Sequence, residues 1–321
     1  MKHLLGIEYL SKVELYGLLH DARNFIEISD RDIKKVPALR GKTVLNLFLE
    51  PSTRTRVSFE IAGKRLSADT INISASGSSV SKGETLLDTA RNLEAMHPDI
   101  LVVRHKESGA PHFLAKYLKR TAVVNAGDGM HEHPTQALLD CLSLLQHFKE
   151  RKDGIEKLRI AIVGDVRHSR VARSNIWAHK LLGNEVRLVA PPTLLPPASM
   201  NSSVFGEGVR LFHNLEAGIE GADVVMCLRM QLERQGQFFV PNLEEYSAEY
   251  CVNEKRLKKH APSAVVLHPG PVNRGIEIST EVVDGPRSLI SQQVGYGVAV
   301  RMAVLFALAS KGPTGSEEAS R

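Results

Sequence analysis

The stretch TVLNLFLEPSTRTRVSFEIAGKRL, residues 43 to 66, reads as a strand, a polar turn and a helix in immediate succession. TVLNLF (43 to 48) is a short apolar run, whereas RTRVSFEIAGKRL (54 to 66) sets Val57, Ile61 and Ala62 on one helical face. The same alternation continues outward. DTINIS (69 to 74), DILVVRH (99 to 105) and TAVVNAG (121 to 127) read as further strands. Between and after them lie ETLLDTARNLEAM and PTQALLDCLSLLQHF, the latter with Ala137, Leu138, Cys141, Leu142 and Leu145 at helical spacing. Such βα repetition predicts a parallel sheet covered by helices.

A charged stretch, KERKDGIEK (149 to 157), interrupts the pattern before LRIAIVGD restarts it. EVRLVA (185 to 190), VRLF (209 to 212), ADVVMC (222 to 227) and SAVVLH (263 to 268) then continue at spacings that leave room for helices. The expectation is an α/β protein of two doubly wound domains, each a parallel sheet flanked by helices. Residues 1–149 form the first and 150–287 the second, and a C-terminal helix over 288–310 returns to the first domain. A length of 321 residues, about twice a common domain size, agrees with two cores. KGPTGSEEASR reads as a disordered tail.

Composition removes several function classes. At 43% hydrophobic and 24% charged residues the chain reads as an ordinary globular protein. No uninterrupted apolar run reaches the roughly 18 residues of a membrane span, and Glu8 and Lys12 break the start before a signal-peptide core can form. Neither a membrane partner nor an export signal is expected. Cys141, Cys227 and Cys251 lie far apart, which points to free thiols and a cytoplasmic location. The net charge of +5 invites a nucleic-acid reading, but the basic residues are dispersed and aromatics make up only 5%, so no nucleic-acid partner is expected.

The turn Glu50-Pro51-Ser52-Thr53-Arg54-Thr55-Arg56 is the strongest chemical signal. A helix N-terminus offers backbone N–H groups and a positive dipole end. The hydroxyls of Ser52, Thr53 and Thr55 add donors and Arg54 adds charge, a set suited to phosphate. The same residues also make a plain capped helix with solvated arginines, and the local pattern leaves both readings open.

In NAGDGMHEHPTQALLD, His133 and Gln136 stand at another strand-to-helix turn, with Pro134 suited to a first helical position. Their donors could meet a carbonyl. Glu132 between two histidines invites a metal reading, yet HEHPT lacks the second histidine of HExxH at position 135, and no metal is expected. LRIAIVGDVRHSR lacks GxGxxG, which disfavours NAD, and offers Arg170 instead. CLRMQLER adds Arg229, Gln231 and Arg234. Separate arginines at strand ends suit a substrate with more than one carboxylate, with interdomain ion pairing as the other possibility. LHPGPVNRGIEI puts Pro269, Gly270 and Pro271 in a rigid turn with free carbonyls. The Ser/Gly loop SASGSSVSKGET carries Lys82 and otherwise reads as a surface loop.

PSTRTR (51 to 56), KGET (82 to 85), Arg104 of VVRH, HPTQ (133 to 136) and HPGP (268 to 271), in this order and spacing, resemble the carbamoyltransferase family over nearly the whole chain. The resemblance implies a carbamoyl-phosphate domain joined to an amino-acid domain, a homotrimer with shared active sites, and transfer of a carbamoyl group to an amine without cofactor or metal. Ornithine-accepting members carry Ser-Met-Gly where this chain has CLRMQLER, and a cysteine in the late His-Cys-Leu-Pro motif. Arg229, Gln231 and His268-Pro269-Gly270-Pro271 are instead similar to the aspartate-accepting branch, which commits carbamoyl phosphate to pyrimidine synthesis. An ornithine-type or other carbamoyltransferase is the alternative. Arginines would clamp the two carboxylates of aspartate and repel the distal ammonium of ornithine.

Carried over position by position, the resemblance implies that Ser52, Thr53, Arg54, Thr55, Arg104, His133 and Gln136 bind carbamoyl phosphate, with backbone help from Gly270 and Pro271. Arg54, Thr55, Lys82, Arg104 and His133 would carry catalysis. Arg170, Arg229 and Gln231 would bind L-aspartate together with Lys82, which reaches in from a neighbouring subunit with a serine of its loop, Ser79 in this alignment. Glu50, Arg170 and Arg234 match residues that bridge the two domains. Regulatory chains or a dihydroorotase are the further partners such enzymes take.

Overall fold

A computed structural model describes residues 1–74, 83–197, 205–206, 208–231 and 239–310. The chain divides into two compact units, Met1–Leu138 with the chain from Tyr296 onward, and Leu139–Gly295.

In the first unit, β1 (Thr43–Phe48), β2 (Asp69–Ser74), β3 (Ile100–His105) and β4 (Ala122–Asp128) form a sheet in the order β2-β1-β3-β4. Every pairing is parallel. The central strands β1 and β3 are buried almost throughout, as strands covered on both faces must be, whereas the edge strand β2 is largely open. Helices α1 (Lys12–Ser29), α2 (Thr53–Arg65), α3 (Leu86–Glu94) and α4 (Ala110–Tyr117) accompany the strands. Leu45, Leu47, Leu101 and Val103 of the sheet pack with Ala90 of α3 and Leu114 of α4. The N-terminal segment joins the free edge of β4: the Leu4 N–H donates to Val123 O at 2.9 Å, and the Asn125 N–H to Leu4 O at 2.8 Å.

The second unit holds β5 (Arg159–Val163), β6 (Glu185–Val189), β7 (Val209–Phe212), β8 (Val224–Cys227) and β9 (Val265–Leu267), again all parallel, in the order β7-β6-β5-β8-β9. With it lie α6 (Arg170–Leu181), α7 (Leu215–Ile219), α8 (Leu243–Tyr250), α9 (Glu254–His260) and α10 (Thr280–Val283). Ala161, Val163, Val225 and Val266 of the sheet pack with Leu215, Ile219 and Leu257 from the helices.

The chain passes between the units inside helix α5 (Pro134–His147) and returns inside α11 (Ile290–Ser310). Within 21 residues α11 contains a window of mean hydropathy 1.4, long and apolar enough for a membrane span, although Gln292, Gln293 and Arg301 interrupt it. Its packing is that of a core helix. Met302, Ala303, Val304 and Leu305 are fully buried, Phe306 meets Phe25 of α1 edge-on at 5.9 Å, and Arg301 Nη1 donates to Ser58 Oγ of α2 at 3.0 Å. The expected return of the C-terminal helix to the first domain is therefore observed.

Candidate active site

In a parallel sheet the turns after the strands collect at one carboxyl edge, where ligands of such folds bind. In the first unit, β1 and β3 pair with Phe48 opposite Arg104, and the Leu49 N–H donates to Arg104 O at 2.9 Å. Glu50 thus leaves the sheet beside Arg104, and its Oε2 lies 3.4 Å from Arg104 Nε. The guanidinium is 8% exposed, and its Nη1 also donates to Ala126 O at 3.3 Å at the end of β4. Its charge is buried against a carboxylate and a carbonyl, and that pairing makes the burial tolerable.

Ser52 is the N-cap of α2 in extended conformation, and its hydroxyl makes no capping bond to the helix. Side-chain capping, the plainer reading of this turn, is not what the hydroxyl does here. Thr53 and Arg54 are exposed, Thr55 is buried, and the first turn of α2 contains no acidic residue to compete for an anion. His133 and Gln136 are both buried at the start of α5. Pro134 occupies the first position of that helix, and the Gln136 N–H closes its first turn on His133 O at 2.9 Å. The predicted phosphate and carbamoyl residues of this unit therefore stand at the carboxyl end of β3 (Arg104) and at the starts of the helices that follow β1 and β4.

In the second unit the predicted carboxylate binders follow β5 and β8, which are neighbours in the sheet. Arg170, 4% exposed, opens α6 behind its N-cap Ser169, whose Oγ accepts from the Ala172 N–H at 3.1 Å. Arg229 Nη2 donates to Gln231 Oε1 at 3.2 Å. Asp165, a fully buried carboxylate, ties the two turns together: Oδ1 lies 2.8 Å from His168 Nδ1, and Oδ2 accepts from the Gln231 N–H at 3.2 Å. Gly164 makes this approach possible. It sits at φ +118°, and a Cβ there would lie 2.7 Å from Leu228 O.

The HPGP turn follows β9, next to β8. Gly270–Pro271 is a cis peptide, and His268 beneath it is buried, with Nδ1 accepting from the Gly270 N–H at 2.8 Å. Lys82, Ser79 and Arg234 lie outside the described residues. Two residues that hold predicted site residues in place are not singled out by the sequence: Asp165, inside GDVRHSR, and Glu277, nine residues beyond His268. The signal for Asp165 is an acidic residue three positions before a histidine in one turn; Glu277 has no comparable local signal.

Comparison with known proteins follows the same division. The family model for the carbamoyl-P binding domain of aspartate/ornithine carbamoyltransferases matches residues 2–146, and that for the Asp/Orn binding domain matches 156–308. The aspartate carbamoyltransferase catalytic subunit of Syntrophotalea carbinolica is 56% identical over 305 residues, covering 95% of this chain and 94% of that one. Aspartate transcarbamoylase from Trypanosoma cruzi, solved with carbamoyl aspartate and phosphate, superposes with a TM-score of 0.82 at 32% identity, over 96% of this chain and 95% of that one. Ornithine carbamoyltransferase from Pyrococcus furiosus reaches the same TM-score, 0.82, at 28% identity over 97% of each chain. Backbone shape is common to both branches, and sequence separates them. With both domain models matched in order and a relative identical at more than half of its aligned positions, this chain belongs to the aspartate/ornithine carbamoyltransferase family.

Proposed function

We infer that the chain is an aspartate carbamoyltransferase catalytic chain, converting carbamoyl phosphate and L-aspartate to N-carbamoyl-L-aspartate and phosphate in pyrimidine biosynthesis. The observation that carries this reading is the 56% identity, along 95% of the chain, to a protein of that name. The chemistry agrees with it: Arg170 and the Arg229–Gln231 pair offer fixed, charged donors to a dicarboxylic amine.

In the first unit, Ser52, Thr53, Arg54 and Thr55 receive the phosphate, while Arg104, His133 and Gln136 hold the carbamoyl end. In the second, Arg170, Arg229 and Gln231 hold the aspartate carboxylates, and the backbone of Gly270 and Pro271 assists the carbamoyl group. The neutral amine of aspartate attacks the carbamoyl carbon, a tetrahedral oxyanion forms, and phosphate leaves with the electron pair of the broken C–O bond. Phosphate itself takes the amine proton. No protein nucleophile takes part. Holding the reactants in attack geometry supplies roughly 7 to 11 kcal/mol, and donors preorganised around the oxyanion, Thr55, Arg104 and His133, supply the remainder. His133 acts as a neutral donor.

The functional assembly in this reading is a homotrimer in which Lys82 completes a neighbouring site. The three cysteines are free and buried, in keeping with a reducing, cytoplasmic setting. The test is phosphate release from carbamoyl phosphate with either L-aspartate or L-ornithine as acceptor. Release with aspartate alone is expected; release with ornithine, or with neither amine, overturns the reading.

A further inference from the structure

His112, on the first turn of α4, Asp128, at the end of β4, and His131, in the turn that follows, bring one ligand atom each within 4.8 Å of one another. None of the three is assigned a part in carbamoyl transfer. Asp128 is fully buried, and its carboxylate is held from four directions. Oδ1 accepts from Asn125 Nδ2 at 2.8 Å and from the Glu132 N–H at 3.0 Å. Oδ2 accepts from the Gly109 N–H at 2.7 Å and lies 3.1 Å from His131 Nδ1. The turn is built for this approach. Gly129 sits at φ +48°, where a Cβ would come 2.8 Å from the Ser108 N and 2.9 Å from Lys106 O.

His112 supplies the observation that points to a ligand. Its ring meets that of His131 edge-on at 5.1 Å and that of Tyr9 at 5.4 Å. Both of its ring nitrogens are closed off from solvent, and neither has a hydrogen-bond partner among the described residues. An imidazole with two idle buried nitrogens is unfavourable, and a protein does not ordinarily leave such groups without a use.

We propose that His112, Asp128 and His131 form a binding site for a borderline transition-metal dication, Zn2+ in the first instance. Two imidazoles and a carboxylate match that preference, and bonds of about 2.0–2.2 Å in a tetrahedron put ligand atoms roughly 3.3–3.5 Å apart. The observed 3.1 Å between His131 Nδ1 and Asp128 Oδ2 lies close to that edge, and the His112 nitrogen stands within 4.8 Å of both. The bonds to Asp128 from Asn125 Nδ2 and from the Glu132 and Gly109 N–H groups supply the outer-shell orientation that such ligands need. The HEH run by itself has no ligating geometry; the fold adds the missing imidazole from α4. An ion here ties the start of α4 to the turn that leads to His133. A competing set, Glu8, His131 and Glu132, shares His131, but the carboxylate of Glu132 already accepts from the Ile7 N–H at 2.9 Å and the Glu8 N–H at 3.4 Å.

The test is direct metal binding by the full chain, stripped with chelator and titrated with Zn2+ in a calorimeter and with Co2+ in a spectrophotometer. One Zn2+ per chain and the visible bands of tetrahedral Co2+ are expected. His112→Gln and His131→Gln should each weaken Zn2+ binding at least about tenfold, whereas Glu8→Gln should leave it unchanged. Absence of stoichiometric uptake, uptake indifferent to both histidine substitutions, or loss of uptake in Glu8→Gln overturns the proposal. Melting curves without metal verify that each variant folds, and if His131→Gln does not, His112→Gln carries the decision. The outcome is independent of the carbamoyl-transfer reading, because phosphate release is not the signal.

Discussion

Glu277 Oε1 lies 3.1 Å from His268 Nε2, both side chains being essentially sealed from solvent, and the same oxygen accepts from the Asn273 N–H at 2.6 Å. Because His268 Nδ1 accepts from the Gly270 N–H, the ring proton belongs on Nε2, where it is donated to Glu277. One carboxylate thus sets the tautomer of the histidine that holds the HPGP turn. The His268 N–H in turn donates to Gln293 Oε1 at 3.0 Å, and Gln293 Nε2 donates to Asp140 Oδ1 at 2.7 Å. The turn is fixed by a buried polar chain.

Glu277→Ala abandons a buried donor on His268, costing about 1–3 kcal/mol, and a part-buried one on Asn273. The melting temperature should fall by several degrees, and Glu277→Gln, which keeps the Oε1 acceptor, should recover most of the loss. A calorimetric scan of the three proteins is the measurement. Equal melting temperatures for the alanine variant and the parent would mean that Glu277 is dispensable to the turn.

If Arg54 neutralises the leaving phosphate as proposed, Arg54→Ala should lower kcat by two or more orders of magnitude with little change in aspartate affinity. Mixed with Lys82→Ala chains, the inactive Arg54→Ala chains should regain part of their activity in hybrid trimers. A near-normal rate in the single variant contradicts the phosphate assignment. Lack of recovery in hybrids shown to form contradicts the shared site.

In the proposed reading, Arg229→Ala removes a donor for an aspartate carboxylate; it also takes away the group that donates to Gln231 Oε1. A charge-assisted hydrogen bond contributes about 1.5–3 kcal/mol, so the aspartate KM should rise roughly ten- to hundredfold while carbamoyl-phosphate binding stays the same. Steady-state kinetics with each substrate varied in turn distinguish this from general damage, which would affect both.

His179 in α6 is fully buried and neutral, with Nδ1 accepting from Asn184 Nδ2 at 3.0 Å, and desolvation lowers its pKa from 6.5 to about 4. Between those values the unfolded chain binds a proton that the folded chain refuses. Stability therefore falls as pH drops from 6.5 toward 4, by about 3 kcal/mol over the full window. Thermal unfolding at pH 7 and pH 4.5 should show the loss, and His179→Gln should flatten the slope. An unchanged slope would place the acid sensitivity elsewhere.

Every strand expected from the apolar runs is present to within two residues, and the STRT and HPTQ turns lead into helices as their Ser, Thr and Pro positions require. Helix α1 is not among the elements named from the sequence, although Ser11 and Glu14 form a capping box that is open to the same kind of reading. Lys82 and Arg234 rest on motif alone.

Local order, the alternation of strands with helices and the residue types at each turn were determined by sequence, because hydrophobic period and capping chemistry act over a few neighbouring positions. Partnership was decided only in three dimensions. Arg104 meets Glu50 because β1 and β3 lie side by side, Asp165 reaches Gln231 because β5 borders β8, and His112 faces Asp128 because α4 packs beside the end of β4. A pattern of apolar residues tells which face is buried and is silent on which element covers it. The polar contacts that hold the site therefore emerge only once strand order is set.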